Sequence, residues 1–267
     1  MHSLFITIQN RPYVVAFLLA FLLISLLNRG VARTLLFLII GYTVAFLSEF
    51  CSIRWGFPYG MYHYIYENMP GELILAGVPV WDSISYVFMA YASYEMANWV
   101  RRGGWRLVVP LRPSSDAARG DAGRQDPPLL ISSLLMTLLD VVTDPLAVRG
   151  DQWFLGKIFY YPNGGIYFGV PLSNFAGWFL VGLMIFLLYA LIERKLPHPQ
   201  PLSRIRERVA EGRARASLLG PLFYLSIVMF NVAITIAIGE WRLASVSSLI
   251  FLGITSSFAR GVLRRRN

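Results

Sequence analysis

Apolar residues fall into seven blocks, at about 12–27, 33–51, 79–99, 129–148, 169–192, 218–238 and 242–259. All but the short first block reach the roughly 17–25 residues that a helix needs to cross a hydrocarbon core about 30 Å thick. In lipid every backbone polar group must be bonded within its own segment, which selects helices. The pattern therefore predicts an all-α, polytopic transmembrane helix bundle of about seven spans. Residues 1–267 are expected to form a single integral membrane domain.

The polar connections are of two kinds. Residues 100–128 hold six arginines with Pro110, Pro113, Pro127 and Pro128, and 193–217 hold seven Lys/Arg behind a Pro-rich entry at 197–201. Both read as mobile aqueous loops, with 203–216 able to form a charged surface helix. Residues 52–78 and 149–168 are instead rich in Tyr, Trp, Phe, Gly and Pro. One reading is an aromatic belt at the membrane interface. The other is a pair of lids folded over a pocket, since dense Gly and Pro ask for specific turns.

Charge decides the orientation. With 100–128 in the cytoplasm, alternation also places Arg29, Arg33, the 193–217 loop and Arg260, Arg264, Arg265 and Arg266 there. Nineteen basic residues then lie inside, against five outside (Arg11, Arg54, Arg149, Lys157 and Arg242). By the positive-inside rule the N-terminus is expected outside and the C-terminus in the cytoplasm, in a multi-pass protein of the plasma membrane.

Composition agrees. The chain is 56% hydrophobic and 15% charged, with a mean hydropathy of +0.54, where soluble domains run near 45–50% apolar and about 25% charged. A net charge of +9 would suggest nucleic acid in a soluble protein. Here the basic residues lie between apolar blocks, so topology accounts for them and no nucleic-acid partner is expected. Cys51 is the only cysteine, which excludes an internal disulfide framework or thiolate cluster. The first apolar stretch lacks an A-x-A-like cleavage site and is expected to be a retained helix rather than a signal.

Ionisable groups within spans are costly and mark function. With 1.5 Å of rise per residue, Glu49, Asp82, Asp144 and Asn174 fall near the outer ends of four different spans. Asp140 lies one turn deeper than Asp144, and Asn231 is in the outer half of the sixth span. The inner half holds little beyond Glu95, near enough to its helix end to reach water. Asp140 and Asp144 are spaced i, i+4 and share a helix face, just before Pro145, which frees the Val141 carbonyl. Two carboxylates one turn apart in a low-dielectric site cannot both ionise cheaply, so one is a candidate general acid. The alternative is a structural pair bonded to Asn174, Ser173 or Trp indoles. His63, alone in the aromatic loop, reads as a structural hydrogen-bonding residue.

Other chemistries fit poorly. Only His2, His63 and His198 occur, too few for a histidine-rich di-iron desaturase or hydroxylase. No Walker loop or dinucleotide fingerprint is present. Asp140-x-x-x-Asp144 superficially matches the magnesium-diphosphate motifs of membrane prenyltransferases, but those lie on the cytoplasmic side beside a second aspartate cluster.

A set of motifs in order carries a resemblance. Ser48-Glu49 is followed by Gly56-x-Pro58-Tyr59-Gly60-x-Tyr62-x-Tyr64, then Val78-Pro79-x-Trp81, then Leu139-Asp140-x-x-x-Asp144-Pro145-x-Ala147-Val148. Last comes Tyr167-Phe168-Gly169-Val170-Pro171-Leu172-Ser173-Asn174-Phe175-x-Gly177-Trp178. Over roughly 45–180 the chain resembles the CruF-type carotenoid hydratase family, which includes bisanhydrobacterioruberin hydratases and carotenoid 1,2-hydratases. It departs from the family in 153–164, where a Tyr160-Tyr161-Pro162-Asn163 segment stands, and at Phe168, where tyrosine is common. The resemblance implies addition of water across the terminal double bond of a membrane-embedded acyclic carotenoid, lycopene-like or a C50 precursor.

The residues suit that chemistry. An acid must protonate the less substituted alkene carbon, aromatic faces can stabilise the tertiary cation, and a carboxylate or amide must place the water that captures it. No redox or metal cofactor is required. Asp140, the deepest carboxyl, is expected to be the acid. Asp144, Glu49 and Asn174 are expected to place the water, the acid and base labels being exchangeable. Asp82, Tyr62, Tyr64, Trp81, Tyr167 and Trp178 are expected to shape the substrate pocket. Two rival functions are a carotenoid end-group cyclase, which would exclude water and quench by proton loss, and a non-catalytic carotenoid or lipid carrier.

Overall fold

The computed structural model describes residues 2–101, 128–196 and 206–264. All seven predicted blocks are helical in it. A short helix, α1 (His2–Asn10), precedes α2 (Pro12–Arg29) and α3 (Val31–Trp55). After the first aromatic connection come α4 (Val80–Trp99), α5 (Leu129–Ala147), α6 (Leu172–Glu193), α7 (Arg206–Ala237) and α8 (Trp241–Arg264). The interior of 100–128 and residues 197–205, where aqueous loops were expected, lie outside the described residues. From Arg206 a helix runs without a break into the sixth predicted span.

Local chemistry sets the helix ends. Pro12 occupies the first turn of α2, where its missing N–H costs nothing. Pro79, Pro128 and Pro171 stand immediately before α4, α5 and α6. Gly56 closes α3 in the left-handed region (φ 73°), its N–H bonding the Ser52 carbonyl, a conformation costly for residues with a Cβ.

Among the described residues, six helices are long and apolar enough to cross a membrane: α2, α3, α5, α6, the Leu218–Ala237 part of α7, and α8 up to Arg260. The protein is an all-α membrane bundle. Leu19, Leu23, Ile39, Leu134, Met184 and Leu249 are among the large apolar side chains on its outer faces, a surface suited to lipid and not to water. The third predicted segment, α4, is not among these six and differs from them. Tyr86 through Tyr94 are buried without interruption, and α4 packs against α2, α3, α5 and α7. Enclosed by its neighbours, it can carry Asp82, three tyrosines and three serines without presenting them to lipid.

The two aromatic connections are tied together. Strand β1 (His63–Tyr64) pairs antiparallel with β4 (Phe159–Tyr160), while β2 (Ile74–Leu75) and β3 (Val78–Pro79) form a small hairpin. Side chains alternate along a strand, so Tyr64 and Phe159 are buried while His63 and Tyr160 are exposed. His63 lies beside the Tyr160 ring, 5.7 Å between centroids, and faces away from the bundle interior. Arg11 fastens this end. It is buried against Glu72 at 2.9 Å, donates to the Leu155 carbonyl at 2.5 Å and lies over the Trp81 ring.

Candidate active site

At the end of the bundle covered by the aromatic connections lies a cavity of about 110 Å³. Glu49 of α3, Asp82 of α4, Asp140 and Asp144 of α5 and Asn174 of α6 all line it, as do Tyr62, Trp81 and Trp178. Tyr62, Trp153, Ile158, Phe159 and Tyr161 of the connections also face it. The connections are therefore lids over a pocket, the second of the two readings above.

The carboxyl groups form two clusters. In the first, the Asn174 amide donates to Asp140 Oδ2 at 2.7 Å and to Asp144 Oδ2 at 3.0 Å, and the Tyr161 hydroxyl donates to the same Asp144 oxygen at 2.8 Å. Asp140 Oδ1 is buried without a partner. In the second, Tyr64 donates to Asp82 Oδ2 at 2.6 Å and lies 3.5 Å from Glu49 Oε1, while Ser83 donates to Glu49 Oε2. Among the described residues none of the four carboxylates forms an ion pair. Burial pushes the Tyr62, Tyr64 and Tyr161 hydroxyls well above the ordinary tyrosine range, and the nearby carboxylates push the same way. All three are neutral O–H donors at physiological pH.

The sequence motifs acquire separate tasks. Ser48 shares a hydrogen bond with Tyr59 at 2.8 Å, and Ser52 accepts one from the Tyr59 N–H. Ser173 donates to the Tyr59 carbonyl at 3.1 Å, so it fixes the lid and leaves the aspartate pair to Asn174. A Cβ on Gly177 would stand 2.6 Å from the Tyr59 ring and 2.8 Å from the Pro58 carbonyl oxygen. Glycine there lets the lid lie directly on α6. One turn beyond Asp82 and Asn174, Tyr86 and Trp178 stack at 4.1 Å with their planes 12° apart.

Two expected pocket residues lie elsewhere. Tyr64 reaches the site through Asp82 rather than lining the cavity. Tyr167 is not on the cavity: its ring packs against Phe168 and Phe175, because the turn that pairs Tyr167 with Val170 directs it away. Glu95 does not rest in water as expected, since Arg29 meets it at 2.5 Å. Arg11, counted among the outer basic residues, is buried.

Sequence reasoning missed Tyr13, Tyr59, Tyr86, Thr143 and Tyr161, all of which line the cavity. Two had a readable signal. Tyr86 is four residues after Asp82, and Thr143 three after Asp140, so each shares a helix face with a carboxylate. Tyr161 lies in the segment that departs from the family pattern, and it bonds Asp144.

Comparisons with known proteins bear on this site. The bisanhydrobacterioruberin hydratase of Haloarcula japonica is 28% identical over 141 residues, which cover 53% of this chain. The match spans only 39% of that relative's length. No solved structure matches the chain. The family described as carotenoid biosynthesis protein matches residues 10–254, which takes in α2 to α7, the first part of α8 and the whole cavity lining, and the chain belongs to that family.

Proposed function

We propose that the protein is a carotenoid hydratase, a hydro-lyase that adds water to the terminal C=C of an acyclic carotenoid held in the bilayer. The observation that carries this reading is the set of four carboxyl groups, three of them buried and Asp82 half-buried, that form no ion pair among the described residues and gather around one aromatic-walled cavity. A carboxyl group kept from pairing can hold and deliver a proton, and an alkene of negligible basicity needs one delivered at close range.

In this mechanism Asp140 donates its proton to the less substituted carbon of the terminal alkene. Asp144 already accepts two hydrogen bonds through Oδ2, from Asn174 and Tyr161, which suits it to the ionised role. Asp140 accepts one, also through Oδ2, so its Oδ1 is the oxygen free to carry the proton. The resulting tertiary cation is met by the ring faces of Tyr86 and Trp178. Water adds to the cation and gives up a proton to a carboxylate, which completes a tertiary alcohol. Asn174 holds the two aspartates in register, and Glu49 with Asp82 supplies the opposite polar wall. These steps need no redox or metal centre.

Expression in a lycopene-producing host, with mass analysis of the pigments, tests the reading. A hydratase yields pigments heavier by one or two waters. A cyclase yields products of unchanged mass, and a carrier yields no new product. For topology we propose an external N-terminus, a cytoplasmic C-terminus and a cavity in the outer half of the plasma membrane, with 100–128 and 193–217 in the cytoplasm. Reporter fusions at both loops and at the C-terminus should all read cytoplasmic, and an external C-terminus would refute the arrangement.

A further inference from the structure

Hydroxyls on the helices of this protein usually bond back to their own backbone. On α5, Ser132, Ser133 and Thr137 donate to the carbonyls of Pro128, Leu129 and Ser133 at 2.8–2.9 Å. Ser85, Ser93 and Thr235 do the same on other helices. Such back-bonding is the ordinary way for a helical Ser or Thr in an apolar setting to satisfy its O–H.

Thr143 breaks the pattern, as Ser247 and Thr255 of α8 do, but of the three it alone lines the cavity. Its Oγ1 is buried without a partner, although the Leu139 carbonyl is one turn away on the same helix, and the residue lines the cavity. One turn earlier on the same face, Asp140 is fully buried, and its Oδ1 is likewise buried and unpartnered. Buried polar atoms are nearly always hydrogen-bonded, and a polar, roomy site with two such atoms is what an ordered water requires. Asn174 and Tyr161 cannot serve in their place, because their donors are already committed to Asp140 Oδ2 and Asp144 Oδ2.

We propose that Thr143 and Asp140 together hold the water that captures the carbocation, which makes Thr143 a catalytic residue; this rests on the hydratase reading. The Thr143 hydroxyl donates to the water oxygen and so fixes the remaining lone pair on the cation. Once Asp140 has given its proton to the alkene, the Asp140 carboxylate accepts a hydrogen bond from the same water. As the C–O bond forms, an O–H bond of the water breaks and its proton returns to Asp140. Proton, water and substrate are then balanced, and Asp140 is restored as the acid within one turnover. The aspartate pair divides the work: Asp140 exchanges the proton, and Asp144 remains charged beside it.

Protonation and capture can be read separately. Membranes carrying wild type, Thr143→Val or Thr143→Ser are given lycopene in D2O. The hydrated product and the deuterium in recovered lycopene are both measured. Valine keeps the shape and removes the hydroxyl; serine keeps the hydroxyl. A cation that is not captured loses a proton from an adjacent carbon and returns an alkene carrying deuterium. Thr143→Val should hydrate roughly tenfold more slowly or worse, while deuterium exchange per hydrated product rises at least as much. Thr143→Ser should keep both values near wild type. If Thr143→Val hydrates with an unchanged rate or an unchanged partition, the water site is overturned while the hydratase reading stands. If wild type neither hydrates nor labels lycopene, the hydratase reading itself fails and this inference falls with it.

Discussion

At one end of the bundle, Glu95 and Glu193 meet Arg29 and Arg33 at 2.5–3.6 Å, and Arg29 also lies over the Tyr94 ring. At the other end, Glu49, Asp82, Asp140 and Asp144 meet hydroxyls and an amide, Glu49 and Asp82 also meet each other, and none forms an ion pair among the described residues. Both ends bury acidic groups drawn from several helices, so burial alone does not separate them. Pairing does. A carboxylate held by arginine has its charge neutralised in place and becomes a clamp between helices. One held by neutral donors keeps a choice of protonation state, at a desolvation cost of several kcal/mol per ion. A fold tolerates that cost where the proton is used, and the lid end is where the cavity lies.

The comparison is broken most severely by Asp140→Asn. Asparagine keeps the size and the acceptor for Asn174 but cannot deliver a proton. Hydration should fall by at least the roughly 10²–10⁴ that general acids contribute, with normal protein in the membrane. Asp144→Asn should cost less, because an amide still accepts from Tyr161. The pigment profile of a lycopene-producing host reads both, and the reverse ranking would exchange the two roles.

Arg29→Ala attacks the opposite end. It strands Glu95, a loss worth about 3–5 kcal/mol where a buried pair is broken. The thermal midpoint of the detergent-solubilised protein should drop, while the protein that remains folded gives the same products. A change in product ratio would mean that the two ends are not separate in function.

Tyr161→Phe removes one donor to Asp144 and leaves the ring in place. A hydrogen bond to a charged group is worth roughly 1.5–3 kcal/mol, so turnover should fall by roughly 10- to 150-fold, with little change in stability. An unaffected rate would remove Tyr161 from the site. The smallest effect is expected from Tyr167→Phe. Its ring lies off the cavity, and turnover should remain within about twofold of wild type.

Much of this was legible from the chain. Seven apolar blocks gave seven helices because length and backbone satisfaction in lipid leave few alternatives. The carboxylates were found because an acid within an apolar block is conspicuous. Tyr161 and Tyr59 were not, because a tyrosine in an aromatic loop looks the same whether it covers an interface or donates to an aspartate, and Tyr13, in the first turn of α2, looks like an interface anchor. Tyr167 misled for the same reason. It sits in the motif that delivers Asn174, yet a tight turn sends its ring to Phe175 instead.

Glu95 and Asp82 mark the boundary between what a sequence decides and what only packing can. Both are acids near the ends of α4. The blocks of apolar residues determined by themselves that the protein is a helical membrane bundle, and the position of each acid along its helix determined which end it occupies. The partner of each acid depends on helices far apart in sequence. Arg29 is 66 residues from Glu95, and Tyr64 reaches Asp82 only because β1 is pinned to β4 across the lid. Rise per residue is a property of one helix and can be read along it. Whether a buried carboxylate finds a cation or a hydroxyl is a property of two elements brought together, and only tertiary structure decides it.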